Sequence, residues 1–211
     1  MKTKWIRLLS LLAVVSGCAS LQVGSEVAAG RRALLTGHNE TALAYFQSAA
    51  QRDPNYRWGS AYQQGILSYV GRTEYAVGRL PQARQTLEKA LNANRDEDLT
   101  RLYLGLTLAR SGDRPGGLKE IEGGMKGIHD WLDYINDAHR FSFGQFWDPA
   151  NAIRSAIRGD LAMISGREFD WQKLIQSAEW IGQRMEEEGD KARRDEARER
   201  GRESDSQDGK P

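Results

Sequence analysis

The sequence predicts an all-α protein, a short stack of helical hairpins with additional C-terminal helices. Three glycines, Gly37, Gly78 and Gly112, are each followed by a small residue at +5, a large apolar residue at +9 and a small residue at +12. Another glycine lies seven positions before each of the three. Glycine readily ends a helix, and the offsets place the following residues on one helical face. One hairpin cannot bury such a face alone, so we expect neighbouring hairpins to stack.

Composition excludes several classes of protein. The 211 residues suit one domain, or one domain with a tail. The balance of 30 Lys and Arg against 29 Asp and Glu argues against a nucleic-acid partner. The single cysteine cannot form an internal disulfide. Three histidines and one cysteine leave few nucleophile–base pairs, so we expect no enzyme activity, no cofactor and no metal.

Residues 1–17 have the pattern of a secretory signal peptide. Basic residues at positions 2, 4 and 7 precede the apolar run Leu8–Val15, and no acidic residue occurs among them. Extended to Gly17, the run has about ten residues, half of what a membrane-spanning helix needs. We therefore expect export and cleavage.

The end of this run, Val15-Ser16-Gly17-Cys18, resembles the lipobox of bacterial lipoproteins. The resemblance implies that Cys18 carries the lipid anchor and that residues 18–22 form a tether to the membrane. Several acyl chains give stable anchoring, whereas one gives only reversible binding. Ala19 stands where an Asp would retain such a protein in the inner membrane, so the resemblance favours the outer membrane, facing the periplasm.

The repeated pattern resembles the tetratricopeptide repeat (TPR), a 34-residue helix–turn–helix, over residues 23–56, 64–97 and 98–131. Ala42, Phe46 and Ala49 match the second helix of the first repeat, and Asp53-Pro54 matches its end. The third repeat is degenerate and rich in glycine. We expect the seven extra residues after Tyr56 to add two helical turns to the next helix, with a loop as the alternative.

The family resemblance implies that the first helices of successive repeats line a concave groove that binds protein partners. The arginines of this groove could hold a carboxylate through forked hydrogen bonds. By alignment, the candidate groove residues are Arg31, Leu34, Leu35, Arg72, Tyr75, Leu102, Leu106 and Arg110.

Residues 132–185 are rich in aromatic side chains and are expected to form a helical cap. Ile128 to Ala138 indicates one helix. Asp148-Pro149 indicates the start of a second helix, which ends at Gly166, and Asp170 indicates the start of the last one. Besides capping, two alternatives stay open: insertion into a lipid surface, and an aromatic pocket. The candidate pocket residues are Phe141, Phe143, Phe146 and Trp147.

Residues 186–211 contain ten acidic and seven basic residues and no large apolar one. We expect the last helix to continue to about Arg200 and the chain from Ser204 to be disordered.

The remaining chemistry is sparse. His129 and Asp133 are four residues apart and His139 follows, which is a weak signal for a metal site. The sequence therefore favours a lipid-anchored periplasmic scaffold or adaptor that binds envelope proteins. A solute-binding accessory lipoprotein of a transporter, with the aromatic residues as its pocket wall, is the alternative, and an envelope hydrolase comes third.

Overall fold

A computed structural model describes residues 21–59, 61–166 and 169–208 of the chain. These residues fall into two compact units. Unit 1 contains the described residues up to Trp58 and those from Gln63 to Ala90. Unit 2 contains residues 59–62 and the chain from Leu91 onward. The fold is mostly helical, as predicted. The predicted signal and Cys18 lie outside the described residues.

Unit 1 consists of helices and one short β-hairpin. Helix α1 occupies residues 21–35. The other elements in order are α2 (Asn39–Arg52), β1 (Arg57–Trp58), β2 (Gln64–Gly65), α3 (Ile66–Ala76) and α4 (Leu80–Ala93), whose last three residues belong to unit 2.

The seven extra residues do not extend α3, and that prediction was wrong. Strands β1 and β2 pair antiparallel, with Arg57 opposite Gly65. The Ile66 N–H donates to the Tyr56 carbonyl at 2.8 Å. Gly59 has a φ of 116°, a backbone conformation open mainly to glycine, so the chain reverses here instead of continuing as helix.

The predicted turn glycines are confirmed. Gly37, Gly78 and Gly112 have φ values of 77°, 79° and 96°. At the first turn, the Gly37 N–H donates to Leu34 and the His38 N–H to Ala33, which is the Schellman pair that ends a helix. The same two bonds recur at the other two turns. Three helices thus end in one and the same way.

The glycines seven positions earlier let large side chains pack directly on the first helix of each hairpin. A Cβ added at Gly30 would lie 2.6 Å from a ring carbon of Phe46, and one added at Gly71 would lie 2.6 Å from Leu87 Cγ. Both distances are far below van der Waals contact, so only glycine fits. Phe46 is fully buried and stacks on Tyr69 with ring centroids 5.0 Å apart in the core of unit 1.

Unit 2 continues with four helices and a short 3₁₀ segment. They are α5 (Asp98–Arg110), α6 (Arg114–Ala138), the 3₁₀ turn Phe143–Phe146, α7 (Ala152–Ser165) and α8 (Trp171–Asp208). Helix α6 is continuous across residue 131, where the sequence placed the end of the third repeat. Four of its glycines, at positions 117, 123, 124 and 127, lie against α5: a Cβ at Gly124 would be 2.6 Å from the Leu102 backbone nitrogen. Close packing therefore compensates for glycine's poor helix propensity.

Helix α8 begins as predicted, because the Asp170 carboxylate accepts the N–H groups of Gln172 and Lys173 at 2.8 and 3.1 Å. Its inner face buries Leu174, Ile181 and Met185 almost completely. The helix continues to Asp208, beyond the end expected at about residue 200 and into the segment expected to be disordered. Among the described residues, no helix is both long and apolar enough to cross a membrane.

Candidate functional site

The predicted groove residues are mostly buried. Arg31 is 5% exposed and Arg72 is 3% exposed, and Tyr75 is also buried. Leu34 and Leu35 are half-buried, whereas Leu102 and Leu106 are completely buried. Of the candidate groove residues, Arg110 is the exposed one. The structure therefore does not present the full set as an open surface.

In unit 1 the two groove arginines make internal contacts. The Arg31 guanidinium lies 5.8 Å from the centre of the Trp58 ring. The Arg72 guanidinium lies 5.2 Å from the centre of the Tyr69 ring and donates to the side-chain oxygen of Gln64. A carboxylate ligand would have to compete with these contacts.

In unit 2 helix α8 covers part of the predicted groove face of α5. Arg110 Nη2 lies 2.5 Å from Glu179 Oε1. Gly182 of α8 lies against Tyr103, and a Cβ at Gly182 would be 2.6 Å from the Tyr103 hydroxyl oxygen. The chain's own last helix thus occupies this face.

The four candidate pocket aromatics have different surroundings. Trp147 is 3% exposed, and its ring centre lies 4.8 Å from that of Trp131 in an edge-to-face pair. Phe141 is 91% exposed. Phe143 and Phe146 have intermediate exposure, and the Phe143 ring stacks on that of His139 with ring centres 4.5 Å apart. Trp147 therefore belongs to the core of unit 2, and Phe141 belongs to its surface.

His129 lies between an acidic and a basic side chain. Its Nδ1 lies 3.5 Å from Asp133 Oδ2, and its Nε2 lies 3.5 Å from the Arg158 guanidinium. Asp133 also pairs with Arg154 at 3.2 Å. Within the part of the chain that the structure describes, no three His, Cys, Asp or Glu side chains are placed to hold a metal ion.

An open cleft of about 500 Å³ lies in unit 1 between α2, α3 and α4. Polar side chains from α2 and α4 and apolar side chains from α3 share its lining. The lining residues are Gln47, Ala50, Gln51, Leu67, Val70, Gln85, Thr86 and Lys89. We call this the amide cleft, because three of its polar side chains are glutamine amides. Its volume is within the ~300–1,000 Å³ of small-ligand sites.

A buried carboxylate lies behind one wall of the amide cleft. Glu74 is 6% exposed, and its side chain is hydrogen-bonded to Thr86. Burial raises the pKa of Glu74, while the Thr86 hydrogen bond and nearby Arg79 act in the opposite direction. Since a carboxylate only accepts, the Thr86 hydroxyl donates its hydrogen to Glu74, and its oxygen keeps the capacity to accept another bond.

Sequence reasoning missed the amide cleft. The signal was present, since Gln47 and Gln51 are four residues apart on α2, and Gln85 and Lys89 are four residues apart on α4. Side chains at that spacing share one helical face. The family resemblance directed attention to the first helices of the hairpins, whereas these polar pairs lie on the second.

Comparison of the chain with models of protein families, with curated proteins and with solved structures returned no match. No relative's functional residues are therefore carried over to this chain. The function proposed for it depends on the residues and contacts described above.

Proposed function

We propose that this protein is a lipid-anchored periplasmic scaffold whose TPR-like hairpins bind other proteins of the bacterial envelope. Anchoring is assigned to Cys18, in the outer membrane. The protein would act as an adaptor in an envelope assembly, without catalysis.

The observation that carries the proposal is the threefold recurrence of one hairpin turn. Gly37, Gly78 and Gly112 share a left-handed backbone and the same pair of helix-ending hydrogen bonds. In each hairpin a glycine faces a large residue of the next helix, and Gly105 with Ile121 is the third such pair. Stacked hairpins of this kind form extended binding surfaces in repeat proteins, which favours protein binding.

The membrane anchor is tested by replacing one atom. Cys18→Ser removes the thiol to which the lipid attaches while changing almost nothing else. We expect the wild-type protein in the outer-membrane fraction of envelopes and the variant in the soluble periplasmic fraction. Continued membrane association of the variant would contradict the lipoprotein assignment.

Protein binding is tested by chemical crosslinking in intact envelopes followed by purification of the lipidated protein. We expect a defined envelope protein to be crosslinked to the wild type and lost from Ala83→Arg, because Ala83 is fully buried between the helices of unit 1. Arg84→Ala, at an exposed neighbour on α4, is the matched control and should keep the partner. Capture of no protein by the wild type would contradict the scaffold and favour the solute-binding alternative.

A further inference from the structure

We propose that the amide cleft binds a short extended peptide segment that carries one aliphatic side chain and one carboxylate. This inference rests on the proposed scaffold function and assigns a ligand class to one surface of it. The carboxylate is that of an Asp or Glu side chain.

The walls of the amide cleft match the polar groups of a peptide backbone. Gln47 and Gln51 of α2 face the cleft from one side, and Gln85 of α4 faces it from another. A primary amide offers both donors and an acceptor, and a peptide group presents one donor and one acceptor. Each glutamine can therefore pair with backbone N–H or C=O groups without leaving a polar group unsatisfied.

Thr86, which lines the amide cleft, adds a hydrogen-bond acceptor. Because its hydroxyl hydrogen is directed to Glu74, the Thr86 oxygen is available to a ligand N–H. Substituting Thr86 by Val would remove that acceptor while keeping the shape of the side chain. The same substitution would also leave the Glu74 carboxylate without its hydrogen bond.

The apolar lining residues select an aliphatic group. Leu67 and Ala50 are half-buried and Val70 is buried, and all three belong to the cleft lining. A ligand side chain placed on them would remove apolar surface from water, which is worth about 25 cal/mol per Å². None of the eight lining residues is aromatic, so the cleft lacks the ring that would stack on a sugar.

The charge of the cleft indicates that the ligand carries a carboxylate. Lys89 is the one charged residue among those that line the cleft, and it is exposed. Its neighbours on the same helix, Arg84 and Glu88, pair with each other at 2.8 Å. The Lys89 ammonium makes no ion pair with another residue in the ranges that the structure describes, so it can bind a ligand carboxylate.

The spacing of these residues sets the length of the ligand. Gln47 to Gln51, and Gln85 to Lys89, each span four residues, or about 6 Å along a helix. An extended chain advances about 3.3 Å per residue, so the walls contact two to three ligand residues. So short a contact gives modest affinity, and we expect a Kd of about 10⁻⁴ M.

The test measures fluorescence polarisation of labelled peptides with the full-length protein in detergent. The probe is fluorescein-Gly-Leu-Val-Glu-amide, and two comparison probes carry Gln or Lys in place of Glu. Lys89→Glu should weaken binding of the Glu probe by about tenfold or more, and the Gln and Lys probes should bind more weakly than the Glu probe. The double variant Gln51→Ala/Gln85→Ala should weaken binding of all three probes, because it removes backbone pairing.

Matched controls keep the measurement specific. Lys126→Glu and Gln176→Ala change the same residue types at exposed positions of unit 2, and both should leave the Kd unchanged. Circular dichroism melts check that every variant is folded. The difference between the Glu and Gln probes should shrink in 0.5 M salt, because ions screen the Lys89 interaction.

Three results would overturn the inference. The first is absence of binding by every peptide probe. The second is equal weakening of Glu-probe binding by Lys89→Glu and Lys126→Glu. The third is competition by maltotriose that Gln51→Ala/Gln85→Ala weakens as much as it weakens peptide binding. Envelope crosslinking tests the scaffold proposal independently of these peptide measurements. If the folded cleft variants still capture the partner and the peptide probes do not bind, the scaffold stands and the cleft assignment fails.

Discussion

The guanidinium of Arg110 on α5 lies 2.5 Å from the carboxylate of Glu179 on α8, within unit 2. This pair joins a predicted groove residue to the chain's own C-terminal helix. On the same helix α8, Ile181 and Met185 are buried. The exposed ion pair orients the helix, whereas the apolar contacts supply most of its binding energy.

That division of roles predicts unequal effects of two substitutions. Ile181→Ala should lower the free energy of unfolding by about 2 to 5 kcal/mol, because it opens a cavity under α8. Arg110→Ala should lower it by less than about 1 kcal/mol, because both partners are partly exposed and screened. Urea unfolding followed by circular dichroism measures both. Equal losses for the two variants would show that the ion pair, and not burial, holds α8.

Because α5 and α6 approach closely, we expect the addition of one methyl group between them to lower the free energy of unfolding. A Cβ at Gly105 would lie 2.5 Å from the backbone nitrogen of Ile121 and 2.8 Å from the backbone oxygen of Gly117. Backbone atoms cannot move aside as a side chain can, so Gly105→Ala should destabilise the protein by about 1 to 3 kcal/mol.

Gly159→Ala is the matched control for that substitution. Gly159 lies within α7, is exposed, and has nothing within 4 Å of an added Cβ. The change should therefore stabilise the protein by about 1 kcal/mol, as helix propensity dictates. Thermal melts of both variants suffice. A stabilising effect at Gly105 would mean that the two helices are farther apart than the structure has them.

Helical hairpins could be predicted from the sequence because glycine leaves a local signature. Gly37, Gly78 and Gly112 need a left-handed backbone, and this need is visible without any long-range contact. The β-hairpin after Tyr56 could not be predicted in the same way, because strands of two residues are too short to show an alternation of apolar and polar residues. The continuous α6 was also missed, because its glycines are acceptable only when α5 packs against them.

Asp98, at the start of α5, predicts a pH dependence of stability. Burial raises the pKa of Asp98 from its ordinary value of 3.8 to about 6, with Arg101 opposing and Asp96 and Asp130 adding to the rise. The folded protein thus binds this proton more tightly than the unfolded chain. The stability that Asp98 contributes falls as pH rises from about 4 to about 6, and it stays at the lower level above pH 6.

Asp98→Asn should remove that loss. We expect the variant to be more stable than the wild type by about 1 to 2 kcal/mol at pH 7.5, after allowance for partial exposure and for lost helix-dipole attraction. At pH 4 the two should be nearly equal. Asp137→Asn, at an exposed position of α6, should show no such dependence. A wild-type advantage at pH 7.5 would show that ionised Asp98 is stabilising.

The binding surfaces were less predictable than the helices because burial depends on how elements pack. Arg31 and Arg72 occupy groove positions by alignment, yet their guanidinium groups lie over the rings of Trp58 and Tyr69. The sequence carries no sign of those ring contacts. The polar pairs on α2 and α4 were visible, but only the space between the helices makes them a cleft.

Asp148 predicts a large effect from a single carboxylate in a loop. It is 2% exposed and has a φ of 43°. Its two oxygens accept the N–H groups of Ile153 and Arg154 at 3.0 and 3.2 Å, and the Arg154 Nε–H at 3.2 Å. From the sequence we expected α7 to begin directly after Asp148, with Asp148 as its N-cap. The helix instead begins at Ala152, and the Asp148 carboxylate caps it from four residues earlier in the chain.

Asp148→Ala should therefore destabilise unit 2 by about 2 to 4 kcal/mol, since it leaves buried N–H donors without an acceptor and removes one of the two carboxylates that pair with Arg154. Asp148→Asn should recover part of this loss, because its amide oxygen still accepts one N–H and asparagine tolerates a positive φ. Asp137→Ala is the exposed control. Urea unfolding followed by circular dichroism measures the loss. If Asp148→Asn were as damaging as Asp148→Ala, the charge on the carboxylate, and not its hydrogen-bond geometry, would hold the start of α7.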